Sequence, residues 1–99
     1  MNRLTTPDFG KALKYVRKAR SLSQDQLGAV VTGRSYLGEL ERGVKQPTLG
    51  TLHDLGQHLQ VHPLTLLALS YSLACSAEEV ESLALTMLED MRSLSDRTG

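Results

Sequence analysis

Apolar residues in this chain recur at helical spacing, and no segment alternates as a strand would. From Asp8 to about Arg20 they fall at Phe9, Ala12, Leu13, Val16 and Ala19, three and four apart, which predicts a helix with one buried stripe. Lys11, Lys14 and Lys18 fall away from that stripe, and Arg17 sits at its edge. Thr6 is placed to cap this helix, with Pro7 at the first position, where a missing N–H costs nothing. Met1 to Thr5 reads as a loose arm.

The stretch from Leu22 to Pro47 predicts two short helices, a tight turn and a stop. Ser23 suits an N-cap, and Gln26 three residues on completes a capping box. Leu27 is the apolar anchor. Val30-Val31-Thr32-Gly33 cannot comfortably continue that helix, because β-branched residues, Thr and Gly favour turns and caps. A second helix begins near Arg34, carries Leu37 and Leu40 inward, and stops at Gly43. Both are too short to stand alone and need a common core. Such a pair predicts a helix-turn-helix, whose second helix lies in a DNA major groove. With Leu37 and Leu40 inward, Arg34, Ser35, Gly38 and Glu39 fall on or near the outward face. Arg34 stands at the end that usually reaches base edges, where arginine can bind guanine O6 and N7. Ser35 can donate or accept. Glu39 is either an acceptor for cytosine N4 or a solvated charge. Tyr36 either touches a phosphate or a thymine methyl, or packs on its own helix. Gly38, costly in a helix interior, permits close approach either to DNA or to the first helix.

Thr48 is the expected cap of a fourth helix running to about Gln60, with Leu49, Leu52, Leu55, Gly56 and Leu59 as its stripe. His62-Pro63 opens a fifth, to about Ser72, apolar on nearly all sides and so either buried or facing a partner. Ser76-Ala77-Glu78-Glu79 is a second capping box, starting a sixth helix to about Leu94. There Val80, Ala84, Met87, Met91 and Leu94 alternate steps of four and three, a heptad-like seam that Leu83 and Leu88 widen. This helix either folds back or pairs with its copy in a second subunit; dimerisation, helped by the fifth helix, is the expectation. The domains are then residues 1–72, a DNA-binding unit, and 73–99, a helical tail for dimerisation.

Composition narrows the class. Hydrophobic residues make up 40% but aromatics only 4%, so the core of this all-α chain must come from Leu, Val and Ala. There is no apolar stretch long enough to span a membrane, and MNRLTTPDF lacks the apolar segment of a secretory signal. The single Cys75 cannot form an internal disulfide, which suits a reducing cytoplasm. Net charge is zero, yet residues 1–45 carry nine Lys/Arg against four acids, and residues 46–99 carry two against seven. A basic half and an acidic half suggest one surface for phosphates and another for a different purpose.

Other chemistry finds little support. His58 and His62 are four apart, but Pro63 separates two helices there, and no set of donors completes a tetrahedral metal site. Phosphate-binding glycine loops, Ser/His/Asp sets and paired active-site acids are all absent. No enzyme activity, metal or cofactor is expected.

Leu22-Ser23-Gln24, Leu27, Arg34-Ser35-Tyr36-Leu37, Leu40-Glu41-Arg42-Gly43, Pro47 and Val61-His62-Pro63-Leu64 together resemble the Xre family, the phage repressor/Cro-like helix-turn-helix regulators. The likeness covers roughly Phe9 to Leu69. Against the family pattern, the turn between the paired helices is about one residue short. The resemblance implies a five-helix repressor-like bundle, with the sixth helix an addition. It implies an ion pair between Arg17 and Glu41, and phosphate contacts from Gln24, Ser23, Arg42, Lys45, Gln46 and Thr48, in part through helix N-termini. It also implies a cytoplasmic, nucleoid-associated regulator of bacterial or phage type. Such a protein binds double-stranded DNA, as a homodimer on an inverted repeat. Two alternatives stay open: an antitoxin whose acidic tail holds a toxin, and a protein-interaction module without DNA binding.

Overall fold

The computed structural model describes residues 6–98, and the arm expected at Met1 to Thr5 lies outside them. Six helices follow in order: α1 Phe9–Ala19, α2 Gln24–Val30, α3 Arg34–Glu41, α4 Leu49–Leu59, α5 Pro63–Ser70 and α6 Ala77–Thr98. No strand occurs among the described residues.

The first five helices close around leucine. Leu13, Leu27, Leu37, Leu40, Leu55, Leu59 and Leu66, drawn from all five, are the largest fully buried side chains. α1 runs through the middle, packed on α5 on one side and α3 on the other, while α2 pairs with α3 and α4 with α5. The α1 stripe is turned slightly from the expected one: Gly10 and Arg17 are buried with Phe9, Leu13 and Val16, whereas Ala19 is exposed. The α4 stripe starts a turn later than expected. Leu49 is 83% exposed and Leu52 is the first residue to reach the core. As the first helical residue of α4, Leu49 precedes the face that turns inward.

Local capping chemistry sets the boundaries. The α1 cap is Asp8 rather than Thr6; its carboxylate accepts the Lys11 amide at 3.1 Å. A carboxylate at the positive end of a helix is the stronger cap, so Pro7 falls outside the helix. Ser23 and Gln26 form the full capping box, the Ser23 hydroxyl accepting from the Gln26 amide and the Gln26 side chain accepting from the Ser23 amide. Thr48 Oγ1 accepts from the Thr51 amide at 3.1 Å. His62 caps α5 through Nδ1, with Pro63 at the first position. α5 ends at Ser70, two residues before the expected stop, and α6 runs on to Thr98, past the expected Leu94.

The loop between α5 and α6 is tied down from two sides. Lys11 Nζ donates to the carbonyls of Ser72 and Leu73 at 3.0 and 2.9 Å. The Glu79 carboxylate accepts from the Ser72 hydroxyl at 2.6 Å, the Leu73 and Ala74 amides at 2.7 and 2.8 Å, and the Ser76 hydroxyl at 3.1 Å. Ser76 Oγ in turn accepts from the Glu79 amide. Only the Ser76 half of the expected second capping box forms; the Glu79 carboxylate instead reaches back past the cap and fastens the start of α6 to the end of α5. Val80 packs on the core from there. Beyond it α6 leaves the bundle, and the molecule extends 47 Å along its long axis but only 26 and 23 Å across.

Hydrogen bonds from Ser72, Leu73 and Ala74 hold the Glu79 carboxyl well below its ordinary 4.5, at about 2. A depressed carboxyl pKa stabilises the fold fully above the unfolded value and loses that contribution as pH falls through the folded value. Glu79→Gln is therefore expected to be less stable than the natural chain at neutral pH. The gap should close as pH drops from about 4.5 toward about 2. Urea unfolding of both proteins across that range checks this.

Candidate nucleic-acid interface

The paired helices α2 and α3 depend on two glycines. A Cβ on Gly28 would lie 2.8 Å from the Cα of Arg34, so the second helix can cross this close only where there is no side chain. Gly33 adopts φ +88°, a left-handed conformation natural to glycine, and its amide bonds back to the Gly28 carbonyl at 2.6 Å. Val31 to Gly33 fill the turn between the helices. Three residues is an ordinary span for the motif, so the turn that reads as short in sequence is not short in space.

α3 is held at its far end by an ion pair. Arg17 Nε donates to Glu41 Oε2 at 2.6 Å and Nη2 to Oε1 at 3.0 Å, a two-pronged contact from α1 to α3. The Glu41 side chain is only 3% exposed. Arg17 Nη1 also reaches the Leu22 carbonyl at 2.7 Å, and the Gln24 amide donates to Glu41 Oε1 at 2.9 Å. Burial raises the carboxyl pKa of Glu41, but the hydrogen bonds from Arg17 and Gln24 and the charges of Arg17 and Lys14 outweigh it, so the net shift is downward. For Arg17, the hydrogen bond to Glu41 outweighs desolvation and raises the guanidinium pKa. Both groups are charged at neutral pH.

With Leu37 and Leu40 buried, the outward face of α3 is led by Arg34 and Ser35, both exposed. The Arg34 side chain is 70% exposed, and its guanidinium lies 3.5 Å from the Asp25 carboxylate at the start of α2. Such an exposed, loosely paired contact contributes little stability and leaves Arg34 available. Tyr36 is half-buried against the core, and its hydroxyl donates to the Gln46 carbonyl at 3.4 Å. This draws the loop carrying Lys45 and Gln46, both exposed, alongside α3. Glu39 is half-buried, and its carbonyl accepts the amides of Val44 and Lys45. Gly38 lies under a side chain rather than bare. It is buried beneath the exposed Arg42 side chain: a Cβ there would meet Arg42 Nη1 at 3.1 Å, and no atom of the first helix lies within 4 Å of it. Ser23, Gln24 and Thr48 make the hydrogen bonds within the chain given above, whereas Arg42 is exposed.

Residues 13–66 match the family model described as helix-turn-helix. The chain belongs to the Xre/Cro-like helix-turn-helix regulators. No curated protein matches it. The matched segment runs from the middle of α1 to the middle of α5 and takes in the whole α2–α3 pair and the Arg17–Glu41 clamp. As a member of this helix-turn-helix family, the protein is a DNA-binding transcriptional regulator. No helix among the described residues is long and apolar enough to cross a membrane.

Asp25 and Lys11 take part in this framework without a motif to announce them. The Asp25–Arg34 contact depends on how α2 crosses α3, and the Lys11 contact joins positions 61 residues apart. Neither distance is visible in local spacing.

Removing one partner of a buried ion pair leaves the other charge without compensation. Arg17→Leu is therefore expected to cost roughly 3–5 kcal/mol, while Arg17→Leu combined with Glu41→Leu costs less than the single change. Chemical denaturation of the single and double variants measures both.

Proposed function

We propose that this helix-turn-helix protein is a sequence-specific repressor that binds an inverted-repeat operator as a homodimer. The observation that supports it most is the pairing of an exposed Arg34 and Ser35 with a clamp that fixes the rest of α3. A reading helix must present its side chains in a set geometry, and α3 is fixed by a crossing at Gly28 and an ion pair at Glu41.

In this reading α3 enters the major groove. Arg34 forms the two-pronged contact to guanine, and Ser35 hydrogen-bonds the adjacent base edge. Glu39 accepts from cytosine N4, and Tyr36 lies against a phosphate or a thymine methyl at the rim. Ser23 and Gln24 at the start of α2, Arg42 past the end of α3, and Lys45, Gln46 and Thr48 before α4 grip phosphates on either side. Gln24 then exchanges its bond to Glu41 for one to a phosphate oxygen. Repression follows from occupancy, with no chemistry by the protein. The tail from residue 73 joins two copies through the seam of Val80, Leu83, Ala84, Met87, Leu88, Met91 and Leu94. Two linked α3 helices would read half-sites about one helical turn, roughly 34 Å, apart.

Genomic DNA selected by the purified protein should yield a palindrome. On that operator, Arg34→Ala is expected to lose about 1–3 kcal/mol of discrimination at one base pair per half-site. Lys45→Ala should weaken binding to every sequence alike and flatten the dependence on salt. Gel shifts against single-base operator variants at several salt concentrations separate the two. Equal loss on all sequences for Arg34→Ala would assign that residue to phosphate, and binding indifferent to salt would remove DNA from the account.

A further inference from the structure

α6 carries more apolar surface than its own domain covers. Val80 packs on the core and Leu83 is half-buried. Further along, Met87, Leu88, Met91 and Leu94 are between 49% and 57% exposed. Beside them an open groove of about 370 Å³ runs between α5 and α6. Leu64, Leu67, Ala68 and Tyr71 form one wall, and Leu83 and Met87 help form the other. Met87 belongs both to the groove and to the overhanging stripe, so the two surfaces are continuous.

We propose that a second copy of this chain fills the groove, with its α6 antiparallel to the first and the two-fold axis passing at Met87. This rests on the reading of the protein as a homodimer and specifies how the copies meet. The stripe residues Val80, Leu83, Met87, Met91 and Leu94 are separated by steps of three, four, four and three. That order is the same from either end. Reversal about Met87 sets Leu83 opposite Met91 of the other copy, and Val80 opposite Leu94. The overhanging end of each α6 thus enters the groove of the other, and the two-fold axis closes the assembly at two copies. Charge favours the same direction. A parallel pair would bring Glu78, Glu79 and Glu81 beside their own copies, and like charges in contact are costly. The antiparallel pair parts those three glutamates from their copies and lays them beside an end of mixed charge, Arg92 with Asp96. Methionine at the axis adapts its shape to its own copy. The surplus of acids on α6 argues against DNA as the occupant.

Cross-linking tests the register in the full-length chain. In a Cys75→Ser background with unchanged helix content, Leu83→Cys and Met91→Cys chains carrying tags of different size are mixed and mildly oxidised. A disulfide requires Cα atoms about 4.4–6.8 Å apart, so the mixed product should exceed either self-product about tenfold. Met87→Glu, at an exposed position, should keep the circular dichroism of the natural chain and raise the dimer Kd about a hundredfold or more. Self-products of Leu83→Cys and Met91→Cys in excess would overturn the antiparallel register in favour of a parallel one. A natural dimer that tolerates Met87→Glu and gives no cross-link would place the interface elsewhere, overturning this proposal but not the homodimer. A monomer by sedimentation, alone and on operator DNA, would remove the homodimer itself.

Discussion

A single buried carboxylate, Glu41, fixes how this small bundle presents its outer face. α3 has only eight residues, too few to hold a helix in water without support. Leu37 and Leu40 anchor its inner side, but two leucines on a short helix leave it free to roll. The two-pronged bond from Arg17 removes that freedom, because a planar guanidinium and a planar carboxylate meet in one orientation. Gln24 fastens α2 to the same group, and Arg17 fastens the loop between α1 and α2 through the Leu22 carbonyl. Three helices are thereby referenced to one charge. A pair as buried as this adds little stability beyond what a packed apolar pair would give. Its contribution is geometric: it fixes where Arg34 and Ser35 point.

The opposite charges of the two halves correspond to different parts of the structure. Of the cations in residues 6–45, Arg34, Arg42 and Lys45 are exposed on α3 and just past its end, whereas Arg17 is buried against Glu41, Lys11 binds the Ser72 and Leu73 carbonyls and Arg20 binds those of Leu59 and Gln60. The acidic excess is concentrated on α6, which leaves the bundle after Val80. A chain of zero net charge can still serve a polyanion when its positive surface is gathered on one side, since screening confines each charge to its own neighbourhood within about 8–10 Å. The root of the acidic helix is fastened to the end of α5 by Lys11 and Glu79.

Much of this was legible in the sequence because it is local. The number and order of the helices followed from periodicity, and Ser23 with Gln26 marked the start of α2 directly. Arg17 and Glu41 came from family resemblance, since a contact between residues 24 apart has no signature in spacing. The misjudged details turn on neighbours that periodicity does not record. Ala19 and Leu49 fit their stripes by type, yet each stands at a helix end, where the next packing element rather than periodicity decides burial. Gly38 looked outward by angle alone, but the Arg42 side chain folds over it. Thr6 is a plausible cap by type, but Asp8, charged and next to Phe9, takes the position. The reach of Glu79 back to Ser72, Leu73 and Ala74 depends on the path of a loop that no pattern specified.

In the proposed complex α3 occupies the major groove, led by Arg34. Dimethyl sulfate protection of the selected operator tests it most directly, because the reagent methylates guanine N7 in the major groove and adenine N3 in the minor groove. Guanine N7 should be protected in two patches about one helical turn apart, with that protection lost at one guanine in each patch for Arg34→Ala. Protection confined to adenine N3, or a pattern unchanged by Arg34→Ala, would contradict it.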